Sequence, residues 1–171
     1  MNDEVIIGIA DFKVVSGNHK LVTIGLGSCI GVVIYDELKS VSGLGHFMLP
    51  NSKDASKSKP TKPNKYGDTL INGMVEKIVE LGGRKYNLKA KAAGGASMFK
   101  NLSRNNNMNI SKRNIQSLKY NLNLHGIPIV SKRVGGNKGR TIIFDTSTYM
   151  LSIKTVNTSL SRKNGYEILE I

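Results

Sequence analysis

One cysteine and three histidines limit the covalent chemistry open to this chain of 171 residues. Cys29 follows Gly25-Leu26-Gly27-Ser28 and begins the apolar run that ends at Tyr35. The glycines let the backbone turn tightly and leave amides near the sulfur without side-chain cover. Amides around Gly27 and Ser28 are therefore candidate donors to an oxyanion, the largest single contribution in acyl transfer. Taken alone, Cys29 says little, because a free cysteine is among the most buried residue types. A thiol becomes a nucleophile near neutral pH only with a base beside it. His19 sits in a polar turn and His125 precedes a glycine, so both read as surface residues. His46 lies inside the apolar run Leu44-Gly45-His46-Phe47-Met48-Leu49 and needs a partner if buried; a core histidine held by a neighbour is the ordinary explanation.

Register arithmetic connects the two residues. An antiparallel hairpin of strands 29–35 and 40–49, closed by Asp36 to Lys39, sets Tyr35 opposite Ser40 and Cys29 opposite His46. Directly opposed side chains share a face with Cβ atoms about 4.5–5.5 Å apart, close enough for a thiol–imidazole contact. A slip of one residue moves one partner to the other face. An imidazole also benefits from a group that orients it. Thr23, in the preceding strand, can supply a hydroxyl, but Ser28 or a backbone carbonyl serves equally well at this level.

The elements that must hold these residues are legible in outline. Short strands are expected at Val5 to Ala10 and Leu21 to Ile24, with Ser16-Gly17-Asn18 as the turn signal. Further strands are expected at Leu88 to Ala93, Ile127 to Lys132, Thr141 to Phe144 and Tyr149 to Val156, the last two joined at Asp145 to Thr148. Strands apolar on both faces imply a sheet covered on both sides. Leu70, Ile71, Met74, Val75, Ile78 and Val79 recur at helical spacing from an N-cap at Asp68 to about Leu81, where Gly82-Gly83 ends the pattern. A second helix fits Lys112 to Leu124, with Ile115, Leu118 and Leu122 on one stripe. Asn51 to Lys65 holds five lysines, three serines and two prolines and no large apolar residue. It reads as a flexible solvated loop within a single domain of residues 1–171, placed where it can overhang a site near His46. The clusters Gly94-Gly95 and Gly135-Gly136 lack the Walker spacing and read as tight turns or close backbone packing.

Composition sets the boundaries. With six Tyr, four Phe and no Trp, the core must come mainly from Ile, Leu and Val. The start, Met1-Asn2-Asp3-Glu4, lacks the basic and apolar regions of a signal peptide, and no apolar run is long enough to span a bilayer. A lone cysteine makes no internal disulfide, so a cytoplasmic protein with no membrane insertion is expected. The net charge of +13, from 25 Lys and Arg against 12 Asp and Glu, favours an acidic partner or reflects a general bias towards Lys. A nucleic-acid-binding module rests on that charge alone. Neither a basic-aromatic RNA signature nor paired Cys/His zinc spacing is present, so no nucleic-acid partner is expected.

Thr23-Ile-Gly-Leu-Gly-Ser-Cys29-Ile-Gly-Val-Val-Ile-Tyr-Asp36, followed by Gly45-His46-Phe47-Met48-Leu49-Pro50, closely resembles the chemoreceptor glutamine deamidases of bacterial chemotaxis, the CheD family. The resemblance continues through Lys65-Tyr66-Gly67-Asp68, Gly94-Gly95-Ala96-Ser97-Met98-Phe99, Arg113-Asn114 and Gly135-Gly136-Asn137-Lys138-Gly139-Arg140, and carries little beyond about Val156. It implies a Cys29–His46–Thr23 triad that deamidates receptor glutamines to glutamate, with no metal or organic cofactor. It also implies a three-layer α/β sandwich with a mixed, largely antiparallel sheet, related to deamidases of the cytotoxic necrotizing factor type. The partners implied are methyl-accepting chemotaxis receptors, whose acidic helical bundles suit a basic enzyme. A chemotaxis phosphatase of the CheC type is implied as a second partner, and regulating it without catalysis is the alternative role. One departure is Asn109-Ile110-Ser111, where the family usually has Asn-Ile-Gly; Ser111 is expected to cap the second helix.

Overall fold

The computed structural model describes residues 3–55, 62–98, 107–156 and 166–171, with backbone only at 107–109. The described residues form ten strands: β1 (Asp3–Ile6), β2 (Asp11–Ser16), β3 (His19–Leu26), β4 (Ile30–Asp36), β5 (Val41–Phe47), β6 (Lys89–Gly94), β7 (Ile129–Val134), β8 (Arg140–Asp145), β9 (Met150–Val156) and β10 (Tyr166–Glu170). Two α-helices, α1 (Gly67–Glu80) and α2 (Asn107–Leu124), flank β6 in the chain. The strands form two five-stranded sheets, in the orders β2-β5-β4-β6-β7 and β1-β3-β8-β9-β10. Each is mixed and largely antiparallel; the parallel pairs are β6 with β7 and β1 with β3.

The period of two along a strand explains how the layers meet. Every residue of β4 and β5 is buried. Ile30, Val32 and Ile34 pack with Leu70, Ile71, Met74 and Ile78 of α1 and with Leu118 and Leu122 of α2. The alternate residues Val33 and Tyr35 join Leu21, Ile142, Phe144 and Leu151 of the second sheet. The first sheet thus carries helices on one face and the second sheet on the other, which is the two-sided burial its apolar strands require. Each such side chain contributes roughly 1.5–3 kcal/mol by leaving water. Among the described residues no helix is long and apolar enough to cross a membrane.

Several expectations change in detail. The N-terminal strand stops at Ile6, and the chain passes through Ala10 at φ 57° before β2, a strand with no clear sequence signal. β10 was also unmarked, because all five of its residues are exposed and it pairs only with β9 at the sheet edge. The β4–β5 register is shifted by two residues: Asp36 pairs with Val41 and Gly31 with His46, so Cys29 is not opposite His46. Asp36 belongs to the strand and not to the turn. Its carboxylate accepts the amides of Leu38 and Lys39, and Ser40 closes the turn at φ 51°. Asp68 does not cap α1, whose N-cap is Tyr66; its carboxylate instead accepts the amide and hydroxyl of Ser52. Ser111 lies inside α2 and donates to the Ala96 carbonyl. The ends of the Lys-rich segment are ordered, with Met48 and Leu49 amides donating to the Lys65 carbonyl. Residues 56–61, on which its expected flexibility falls, lie outside the described residues.

Candidate active site

β3 carries Thr23 on the face turned towards the first sheet, where the residue is fully buried. Immediately after it, the β3–β8 ladder shifts register between Thr23 and Leu26, with Gly25 at φ 77°. A bulge of this kind bends the strand, and it leads here into Gly27-Ser28-Cys29, ahead of β4. His46 sits near the end of β5 on the same face as Leu44, pointing at the second sheet, and is fully buried.

Thr23 and His46 meet across the two sheets, Oγ1 to Nδ1, at 2.8 Å. The threonine hydroxyl has a single hydrogen, which it donates to the Ile7 carbonyl at 2.8 Å. Toward His46 it can therefore only accept, so Nδ1 must carry the imidazole proton. Nε2 is left with a free lone pair, buried and without a hydrogen-bond partner among the described residues. Burial also holds the imidazole down to about 4, against its ordinary value of 6.5, because a charged ring is poorly solvated there. His46 is accordingly a neutral imidazole of defined tautomer.

Cys29 is half-buried and packs at the edge of the cluster between the sheets. Burial pushes its thiol above the ordinary value, while its own backbone N–H acts in the opposite direction. The two-residue register shift preserves the face, since side chains alternate with period two. Cys29 stands just ahead of β4, two residues before the ladder partner of His46. The residue opposite His46 is Gly31. A Cβ there would stand 2.6 Å from Ile142 Cδ1 and 2.9 Å from Leu26 Cδ1. Glycine at this point lets the second sheet close over the imidazole.

The loop holding Cys29 is fixed through its carbonyls. Gly27 O accepts from the Ala96 amide and Cys29 O from the Gly95 amide, both at 2.8 Å. Ser28 O accepts from Asn114 Nδ2 at 2.9 Å. Gly94, at φ 113°, comes so close that a Cβ would stand 2.2 Å from Cys29 O; only glycine fits. Gly94-Gly95 is thus close backbone packing, as its composition suggests. Asn114 is the residue that motif reasoning about chemistry passed over. Its signal was a polar side chain one turn before Leu118 on the buried stripe of α2.

The His19 ring is half-buried against the Ser16 carbonyl, and His125 follows the end of α2; neither is brought to Cys29. Among the described residues no three His, Cys, Asp or Glu side chains gather as a metal-binding set.

A family model described as "CheD chemotactic sensory transduction" matches residues 48–155. That segment contains Gly94, Gly95 and Asn114 and begins just after His46. A protein named chemoreceptor glutamine deamidase CheD, from Halalkalibacterium halodurans, is 46% identical over 157 residues, covering 92% of this chain and 96% of its own. A probable chemoreceptor glutamine deamidase CheD from Clostridium botulinum strain Hall is 48% identical over 153 residues, covering 90% of this chain and 93% of its own. A crystal structure of the Bacillus licheniformis hypothetical protein YfiH aligns over 74% of this chain and 50% of its own, at 13% identity and a TM-score of 0.39, a likeness too slight to bear on the fold.

Proposed function

The chain belongs to the CheD family, and from its site we propose that it deamidates glutamine side chains of methyl-accepting chemotaxis receptors, with Cys29 as nucleophile, His46 as general base and Thr23 as the group that orients the imidazole. The observation that carries the reading is the Thr23–His46 hydrogen bond, which leaves a buried, unpartnered Nε2 on the face shared with Cys29. Such an acceptor has one evident use, to take the thiol proton.

Because burial disfavours both charged forms, the resting pair is neutral thiol and neutral imidazole. Proton transfer from Sγ to Nε2 then accompanies attack of sulfur on the glutamine side-chain carbonyl carbon. The oxyanion is received by backbone amides near Gly27 to Cys29, a segment whose carbonyls are already tied the other way. Each such donor typically contributes about 2.7–4 kcal/mol to acyl transfer. The imidazolium returns its proton to the nitrogen as the C–N bond breaks, releasing ammonia and leaving a thioester. Water gives a proton to Nε2 and attacks the thioester; the tetrahedral adduct expels sulfur, which recovers the proton, and glutamate remains. No step calls on a metal or organic cofactor. The net charge of +13 supports an acidic helical substrate, steered by long-range attraction in the cytoplasm. Helices on one face of the first sheet and a second sheet on the other support a three-layer reading, of the kind expected for relatives of cytotoxic necrotizing factor-type deamidases.

The test is mass spectrometry of a cognate receptor signalling domain incubated with wild type, Cys29→Ala and His46→Ala. A gain of about one dalton at particular glutamines, with wild type only, is expected. An equal gain with Cys29→Ala would remove the nucleophile assignment. No gain on a folded cognate receptor would leave regulation of a CheC-type phosphatase as the better reading.

A further inference from the structure

The last backbone pair of the β4–β5 ladder is Ile30 with Phe47. Ser28 and Cys29 lie just past it on one side, and Met48 on the other. No ladder hydrogen bond sets the separation of the two strands there, although Cys29 depends on that separation to meet His46. Asn114 reaches this gap from α2. Its Nδ2 donates to Ser28 O at 2.9 Å and to Met48 O at 2.8 Å. An amide nitrogen has two hydrogens, so both are used, one on each strand. The side chain is fully buried, and its Oδ1 has no partner among the described residues. The fold thus tolerates an orphaned acceptor while keeping the nitrogen between two carbonyls.

We propose that Asn114 is a positioning residue, a clip across the open end of the β4–β5 pair that sets the Cys29–His46 separation and turns the Ser28 peptide so that the Cys29 amide faces the sulfur. The proposal rests on the Cys29–His46 reading given above. It distinguishes Asn114 from Ser117, one turn further along α2, whose hydroxyl donates to the Pro50 carbonyl at 2.6 Å. Ser117 also ties the helix to the segment after β5, but it touches neither Ser28 nor Met48.

Two substitutions break the clip: Asn114→Asp, which sets an oxygen against both carbonyls, and Asn114→Ser, which is too short to span them. Ser117→Ala is the comparison. Turnover of the receptor domain and the pH dependence of Cys29 alkylation by iodoacetamide are measured on each, with thermal melts as the control for folding. A misplacement near 1 Å costs about 100-fold in rate, so the Asn114 variants are expected to lose about that much in kcat, with KM held within about twofold. Their alkylation profiles should converge on that of His46→Gln, because the thiol no longer meets its base. Ser117→Ala should melt lower yet keep the wild-type profile and kcat.

Folded Asn114 variants that behave like Ser117→Ala would overturn the proposal. A wild type that fails to deamidate, yet shows a His46-dependent alkylation profile that Asn114 controls, would remove the receptor reading and leave the clip standing. If neither variant folds, exchange of the Asn114 Nδ2 protons in the wild type decides: slow exchange is what the clip requires, and exchange at the rate of an exposed amide refutes it.

Discussion

Thr23→Val keeps the branched shape of the side chain and removes only the hydroxyl. In the fold that hydroxyl satisfies two buried groups, the Ile7 carbonyl and the His46 Nδ1–H. Leaving either unpaired costs about 1–3 kcal/mol. At about 2–4 °C per kcal/mol for a chain of this size, Tm should fall by several degrees. The ring can escape part of the cost by moving its proton to Nε2, but that consumes the lone pair to which the proposed mechanism passes the thiol proton. A bias of about 1–3 kcal/mol corresponds to a 5- to 150-fold loss of the base-competent tautomer, and kcat should fall by that factor. Single-turnover deamidation followed by mass spectrometry gives the rate, and long-range proton–nitrogen spectra of the imidazole give the tautomer. Wild type should show Nδ1 protonated, Thr23→Val a shift of the proton to Nε2, and Thr23→Ser recovery of both readouts. A folded Thr23→Val protein with an unprotonated Nε2 and wild-type kcat would refute the reasoning.

Burial holds His46 at about 4 in the fold against 6.5 in an ordinary imidazole, so unfolding takes up a proton between those values. Stability should be complete above pH 6.5, decline as pH falls and level out below about pH 4, a total loss of about 3 kcal/mol. Denaturant titrations of wild type and His46→Gln should diverge across that window, and parallel curves would contradict the assignment. Gly31→Ala should destabilise by about 1–3 kcal/mol through overpacking between the sheets. The atom it meets first is Ile142 Cδ1, at 2.6 Å. Ile142→Val removes that atom, so the double variant should be more stable than Gly31→Ala alone; simple additivity of the two losses would show that the clash lies elsewhere.

Much of the local structure was legible because it follows from local rules. The apolar repeat from Leu70 to Ile78 specified α1, and the unbroken apolar run from Val32 to Tyr35 specified a strand covered on both faces. The expected pairing of Cys29 with His46 differs from the observed ladder, in which Gly31 stands opposite His46. The sequence pattern puts Asp36 in the turn, whereas its carboxylate caps the turn from the end of β4. The resulting error was two residues, an even number, and side chains alternate with period two, so both residues stayed on one face. Edge elements were not legible: β10 buries no face and takes its register from β9, leaving no pattern of its own.

The sequence by itself thus determined the kinds of element, the face each side chain takes and the candidate nucleophile and base. Only the tertiary structure decided what surrounds them. Thr23 is one of several hydroxyls until the second sheet packs on the first and brings it to Nδ1 of His46. Asn114 is an ordinary helix residue until α2 lays it between Ser28 and Met48, contacts 86 and 66 residues away in the chain. Periodicity reports which side of an element is buried. Which partner waits on that side is set by contacts between distant segments, and no local pattern encodes them.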